Sequence, residues 1–310
     1  MASKVCEILD IISQKSPINS KKINKEIENA NTVFLERFES FLIIYQQYLT
    51  SIGKSLEYAV DSYLKVCADY TYEQIRFIET GEYSNKSFED VNQRIYSDPE
   101  IMGYHINGLA LAQYLWRLQY ERFDYFAQTY SEYANSTKKY LEIGAGHGTY
   151  VLEAMNQSNS DTLFDIIDIS NSSLEMTKYF VGDSKNITYH LIDIFDFNPD
   201  TKYDFITMGE VLEHVEKPLE LLQQACRLLN DDGVCFITTP ANSPAIDHIY
   251  LFRNKEEIVD LLNAAKLEVI DDIAMFDKNI SPEKAMKYKY AMMYAAFLKK
   301  RTIKENSFLS

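Results

Sequence analysis

The sequence predicts an α/β protein, in which an all-helical region precedes a doubly wound, mainly parallel sheet. Apolar residues recur at helical spacing through the first 136 positions, and from Lys138 short apolar runs alternate with helical stretches. Composition shifts at the same point, since fourteen of the 23 tyrosines lie between Tyr45 and Tyr133. Strands that alternate with helices require crossover connections, and such connections build parallel sheets.

The elements follow in order. The first thirty residues are polar and rich in Asn and Lys, which predicts a short helix and then a loose connection. VFLERFESFLIIYQQYLTSI, from Val33 to Ile52, is a long helical pattern, and Leu56 to Ile78 is a second. Gly81 to Asn85 breaks the pattern, and Asp98-Pro99 opens another helix with Pro in its first turn. From Ile106 to Tyr130 the residues Leu109, Ala112, Trp116, Tyr120, Phe123 and Ala127 keep one helical stripe. The chain therefore divides into residues 1–136, helical and Tyr-rich, and residues 137–310.

In the second part, strands are expected at Tyr140–Ile143, Leu163–Ile167, Ile187–Leu191, Tyr203–Met208 and Val234–Thr239, with further candidates at Leu267–Ile270 and Tyr294–Leu298. Helices are expected at Thr149–Asn156, Asn171–Phe180, Val211–Leu229 and Lys255–Ala265. No internal repeat is present.

Charge narrows the function. The 310 residues carry 31 Lys and Arg against 46 Asp and Glu, a formal charge of −15. Neutralising phosphates needs a basic face, so a nucleic-acid partner is not expected. Aromatic residues make up 13% of the chain, too many for a disordered one. Cys6, Cys67, Cys226 and Cys235 form no C-x-x-C pair, and Cys226 and Cys235 read as reduced core residues. Glu7 and Asp10 interrupt the start where a signal peptide needs apolar residues, and no run reaches the ~18 apolar residues of a membrane span. The expected compartment is the cytoplasm, with no membrane partner.

The most informative stretch is LEIGAGHGTY, where Gly144, Gly146 and Gly148 follow a strand and open a helix. Glycines suit a sharp turn whose backbone comes close to a ligand. Asp168 ends the next strand, twenty residues past Gly148, where a carboxylate can accept both hydroxyls of a ribose. NAD and S-adenosylmethionine share that requirement. The spacing G-x-G-x-G lacks the third glycine that brings a helix close under a pyrophosphate. Glu142, just before the glycines, suits a ligand with an amino group, and Asp193 with Ile194 is placed to meet an adenine. The balance favours S-adenosylmethionine.

These residues carry a family resemblance. LEIGAGHG, the acid of DIS, the Asp of LIDIFDF, YDFITMGEVLEHVEKP and LLNDDGVCFITTP, spread over residues 138–300, resemble the class I S-adenosylmethionine-dependent methyltransferases, in the branch that includes ubiquinone-pathway O-methyltransferases. The resemblance implies a seven-stranded Rossmann-like sheet with its last strand antiparallel, and S-adenosylhomocysteine as product. It implies that Glu142, Gly144, Ala145 and Gly146 cradle the methionine end. Asp168 and Ile169 would hold the ribose and adenine edge, Asp193 and Ile194 the adenine, and Glu210 would stand beside the cofactor.

Glu210, Glu213 and His214 fall at i, i+3 and i+4, one face of the helix expected after the fourth strand. His214 is the candidate general base for an acceptor hydroxyl. The same face with His248 could instead hold a divalent metal, as in the similar Glu-x-x-Glu-His of metal-dependent RNA 3′-end 2′-O-methyltransferases, or Glu213 and His214 could simply fix the neighbouring loop. Tyr104 and His105 are candidates to face the acceptor. His147 is expected to point away from the cofactor, and His190 to be a core residue.

The expected function is methyl transfer to a hydroxyl or amine of a partly apolar or aromatic small molecule. The Tyr-rich helices would act as a lid, an acceptor wall or a homodimer contact. The alternatives are the RNA 3′-end enzyme and a non-catalytic protein that binds S-adenosylmethionine to hold its fold.

Overall fold

A computed structural model describes residues 3–278 and 280–301. The first helices are α1 (Lys4–Lys15), α2 (Pro17–Glu28), α3 (Thr32–Ser51) and α4 (Leu56–Thr80). Ser3, Asn31 and Ser55 each cap a helix by accepting a backbone N–H from the first turn. The loose connection expected in the first thirty residues is instead α2, begun by Pro17 at its first position. Ile23 is the apolar anchor that buries it.

α5 (Phe88–Val91) runs into a π turn at Asn92–Tyr96, and α6 (Pro99–Leu115) starts under the Asp98 cap. The single helix expected from Ile106 to Tyr130 is two, because Trp116 is extended (φ −101°, ψ 112°) and α7 (Arg117–Tyr130) restarts after it. No Gly or Pro marks this break. Both helices keep their apolar spacing across it, so the stripe alone cannot reveal it.

The second part contains β1 (Lys139–Ile143), α8 (Thr149–Gln157), β2 (Leu163–Asp168), α9 (Asn171–Val181), β3 (Ile187–Leu191) and β4 (Tyr203–Gly209). It continues with α10 (Pro218–Leu228), β5 (Leu229–Ala241), α11 (Lys255–Ala264), β6 (Leu267–Phe276), α12 (Pro282–Tyr288) and β7 (Met292–Lys300). The seven strands form one sheet in the order β3-β2-β1-β4-β5-β7-β6. The first five are mutually parallel, and β7 runs antiparallel between β5 and β6.

Strand alternation divides the core between two faces. Leu141, Ile206 and Cys235 pack on α10 and α11 through Leu221, Leu222 and Leu262. Tyr140, Phe205, Phe236 and Phe297 face the other way, onto α7, with Phe126 at 5.0 Å from Phe236 and Tyr130 at 4.7 Å from Phe205. That second cluster continues without a break into α3, α4 and α6.

The chain leaves β1 for β2 and β3 on one side, then returns to β4 on the other. Such a reversal opens a crevice beyond the carboxyl ends of the two central strands.

Candidate active site

Gly144, Gly146 and Gly148 all have left-handed φ, between +52° and +77°. The Gly144 N–H donates to the Ile167 carbonyl at 2.9 Å, and the Thr177 hydroxyl donates to the Gly146 carbonyl at 3.0 Å, so the loop is pinned to β2 and α9. A Cβ on Gly144 would lie 2.7 Å from Val211, whereas one on Gly146 would meet nothing within 4 Å. Gly146 therefore presents bare backbone to open space. Asp168 ends β2 beside it, buried, and accepts N–H bonds from Gly146 (3.0 Å) and Ser170 (2.8 Å). Burial raises its carboxyl, against those backbone bonds, which lower it.

A cavity of about 610 Å³ opens here. Gly144, Ala145, Gly146, Asp168, Ile169 and Glu210 line its sheet side, and the helical region lines the opposite wall. His147 also lines the cavity, contrary to the expectation that it points away; its Nδ1 is 3.0 Å from the Thr149 hydroxyl. His190 is partly buried, paired with Asp165 at 2.6 Å.

Three expected cofactor contacts lie outside the lining. Glu142 sits buried behind the glycine loop, where its Oε2 accepts the Tyr140 hydroxyl at 2.8 Å. Strand alternation puts it on the same face as Tyr140, towards α7, and burial pushes its carboxyl well above the usual range. Asp193 accepts the N–H of Phe195 at 3.0 Å, a local turn contact, and Ile194 is buried in the cluster on the opposite face.

The segment after β4 is not a long helix. Glu210 has a left-handed φ of +56°, Leu212–His214 form one 3₁₀ turn, and a new helix starts at Pro218. Proline disfavours helix at the preceding residue, and Lys217 is accordingly non-helical. Glu210, Glu213 and His214 thus diverge from the single face their spacing suggested. Glu210 accepts from Arg122 and from the Thr238 hydroxyl (2.9 Å). Glu213 is fully buried and accepts the Thr239 hydroxyl at 2.8 Å, while its Oε1 has no partner. Burial, with Glu210 nearby, pushes its carboxyl well up.

His214 faces the cavity within a polar network. Its Nδ1 lies 3.0 Å from the Tyr96 hydroxyl and 3.2 Å from the Asp247 carbonyl. The Tyr96 hydroxyl donates to Asp247 Oδ2 at 3.3 Å, and His105 Nε2 is 3.2 Å from the same oxygen. Burial alone would raise the Asp247 carboxyl, but His214 and His105 hold it well below the usual range. Behind His214 stands His248, ring centroids 4.8 Å apart, with its Nδ1 at 2.6 Å from the Ser243 carbonyl. Burial lowers His248 to about 4, so it is neutral. Glu213, His214 and His248 each offer a ligand atom, all within 4.8 Å of one another, a set that can hold a divalent cation.

Of the acceptor candidates, His105 lines the cavity; Tyr104 stands behind the wall, its hydroxyl donating at 2.9 Å to Asp69, which lines it. Sequence reading missed Tyr96, Asp247 and Arg122. Arg122, set among Tyr120, Phe123 and Phe126 in α7, was the one available sign of a buried ion pair.

A family model described as a methyltransferase domain matches residues 114–271, just over half of the chain. The chain belongs to the class I S-adenosylmethionine-dependent methyltransferases. Malonyl-[acyl-carrier protein] O-methyltransferase 1 of Ilyobacter polytropus is 27% identical over 139 residues, 39% of this chain and 52% of that one. Ubiquinone biosynthesis O-methyltransferase of Actinobacillus pleuropneumoniae serotype 5b is 35% identical over 109 residues, 33% of this chain and 45% of that one. The chain thus spans about half the length of these relatives. Among solved structures, mitomycin 7-O-methyltransferase MmcR shares the fold, with a TM-score of 0.52 at 11% identity over 79% of this chain and 70% of that one.

The cofactor of this methyltransferase is S-adenosylmethionine, and the residues present fit it. Gly146 leaves room where a side chain would intrude, and Asp168 keeps unused lone pairs for sugar hydroxyls. Among the described residues, no helix is long and apolar enough to cross a membrane.

Proposed function

We propose that this protein methylates a hydroxyl group on a partly aromatic small molecule. The observation that supports this most is the single cavity running from Asp168 and the glycine loop past His214 to the helical wall. Bound S-adenosylmethionine supplies a methyl group made electrophilic by its sulfonium. The glycine loop and Asp168 hold the nucleoside end. The helices close the opposite side and exclude water, so that alignment, more than any added chemistry, lowers the barrier.

His214 takes the hydroxyl proton. Its Nδ1–H donates to the Asp247 carbonyl and the Tyr96 oxygen, while the Tyr96 hydroxyl donates to the Asp247 carboxylate. This arrangement leaves the Nε2 lone pair, 3.9 Å from the buried Glu213 Oε1, for the acceptor. An amine acceptor would need no such base.

His214→Ala tests the assignment. Turnover is expected to fall by roughly 10²–10⁴, with S-adenosylmethionine affinity unchanged by calorimetry; undiminished turnover removes His214 as the base. A second reading rests on the unpartnered Glu213 Oε1 beside His214 and His248. There a divalent cation would polarise the acceptor oxygen, and activity would vanish with a chelator and return with added metal. An RNA acceptor would show steep loss of binding with salt, and cofactor binding without turnover on any acceptor would mark a non-catalytic partner protein.

A further inference from the structure

We propose that the acceptor is a flat aromatic molecule without negative charge, seated against Trp116 and Tyr70; this rests on reading the cavity as the methyl-transfer site. Trp116 is the residue at which α6 and α7 part, and its extended backbone turns the indole out of both helices. The indole N–H donates to the Tyr63 hydroxyl at 3.2 Å, which fixes the ring. Tyr70 stands 5.7 Å away with its plane tilted 52°. Most rings of the helical region are buried against each other, but Trp116 and Tyr70 both keep exposed surface and both line the cavity. Two fixed rings at such an angle give a third ring a face and an edge to pack on, within the 4.5–7 Å range of aromatic pairs.

Charge selects among rings. Among the described lining residues the carboxylates are Glu26, Asp69, Asp168, Glu210, Asp247 and Asp277, with four histidines beside them. Among the described lining residues the Lys and Arg side chains are Lys22 and Arg117. Arg117 is committed to Glu121 at 2.6 and 2.7 Å and to the Phe276 carbonyl at 2.8 Å. Lys22 is exposed on α2, where water screens it. Arg122, behind the wall, is held by Glu210 and Gln119. A carboxylate entering here would lose its water and find no free cation, a penalty that an uncharged or cationic ring escapes.

Trp116 is the chain's one tryptophan, so its emission reports the chamber directly. The 310-residue chain is titrated with 4-methylcatechol, dopamine and 3,4-dihydroxybenzoate, which share a ring and differ in charge. Saturable change is expected with the first two, and at least tenfold weaker binding of the benzoate. Tyr70→Leu should weaken 4-methylcatechol about three- to tenfold and leave S-adenosylmethionine affinity intact, which also shows that the variant is folded. Benzoate binding as tight as the others, silence from all three, or an unaffected Tyr70→Leu variant overturns the proposal. Failure of S-adenosylmethionine to bind the parent chain would instead sink the methyl-transfer reading, whatever the rings do.

Discussion

Replacing Asp168 with Ala should cost this methyltransferase most of its cofactor affinity. The carboxylate accepts one N–H on each oxygen, from Gly146 at 3.0 Å and Ser170 at 2.8 Å. An ionised carboxyl has about four acceptor sites, so two remain for the paired hydroxyls of a ribose. A hydrogen bond to a charged group contributes about 1.5–3 kcal/mol, and tenfold in affinity is about 1.4 kcal/mol. Loss of one such bond therefore predicts at least a tenfold rise in Kd, and loss of both on the order of 10²–10⁴. Asp168→Ala also leaves the Ser170 N–H buried without its acceptor, a fold cost of about 1–3 kcal/mol. Asp168→Asn separates the two effects, because its amide oxygen can still serve Ser170. Calorimetric titration with S-adenosylmethionine, beside a denaturation curve for each variant, makes the measurement. Because burial raises this carboxyl, affinity in the parent should decline on acidification earlier than for an exposed aspartate. A folded Asp168→Ala protein that binds as tightly as the parent refutes the ribose assignment.

Gly144→Ala should destabilise by more than the ~1–2 kcal/mol of a left-handed alanine, since its Cβ would meet Val211 at 2.7 Å; Gly146→Ala should melt closer to the parent while losing S-adenosylmethionine affinity. Arg122→Met should cost about 3–5 kcal/mol in urea denaturation by leaving Glu210 without its cation, and adding Glu210→Gln should recover part of that loss. His147 and His248 are each lowered to about 4 by burial. Below the ordinary value near 6.5 the unfolded chain takes up protons that the folded one refuses, so stability should fall from pH 6.5 towards pH 4, by up to about 3 kcal/mol for His248. A flat stability profile across that range would contradict the burial of the His248 imidazole.

The sheet was legible because each strand contains a short apolar run; β5 and β6 extend beyond theirs, through Asn230–Asp232 and Asp271–Asp272, where the sequence shows no strand pattern. The glycine loop and Asp168 were legible because β1 and β2 pair in parallel, which sets the carboxyl end of one strand beside the carboxyl end of the next. Trp116 was not, because a one-residue extended link leaves the helical stripe intact on both sides. The departure of Glu210 from the Glu213–His214–His248 cluster was hidden for a related reason: i, i+3, i+4 describes a face only if the segment is a helix, and Pro218 starts that helix four residues too late. Tyr96, Asp247 and His105 lie up to 151 positions apart and meet only through tertiary packing. Glu142 and Asp193 stand at the expected positions along the chain, while their side chains are engaged locally with Tyr140 and Phe195.

The rings of α7 lying on Phe205 and Phe236 have a practical outcome. A construction that ends or begins near residue 137 would strip one side of the β-layer to water and leave a matching sticky surface on the other fragment. Heating the intact chain should accordingly give a single melting step, and neither half expressed separately should remain monomeric.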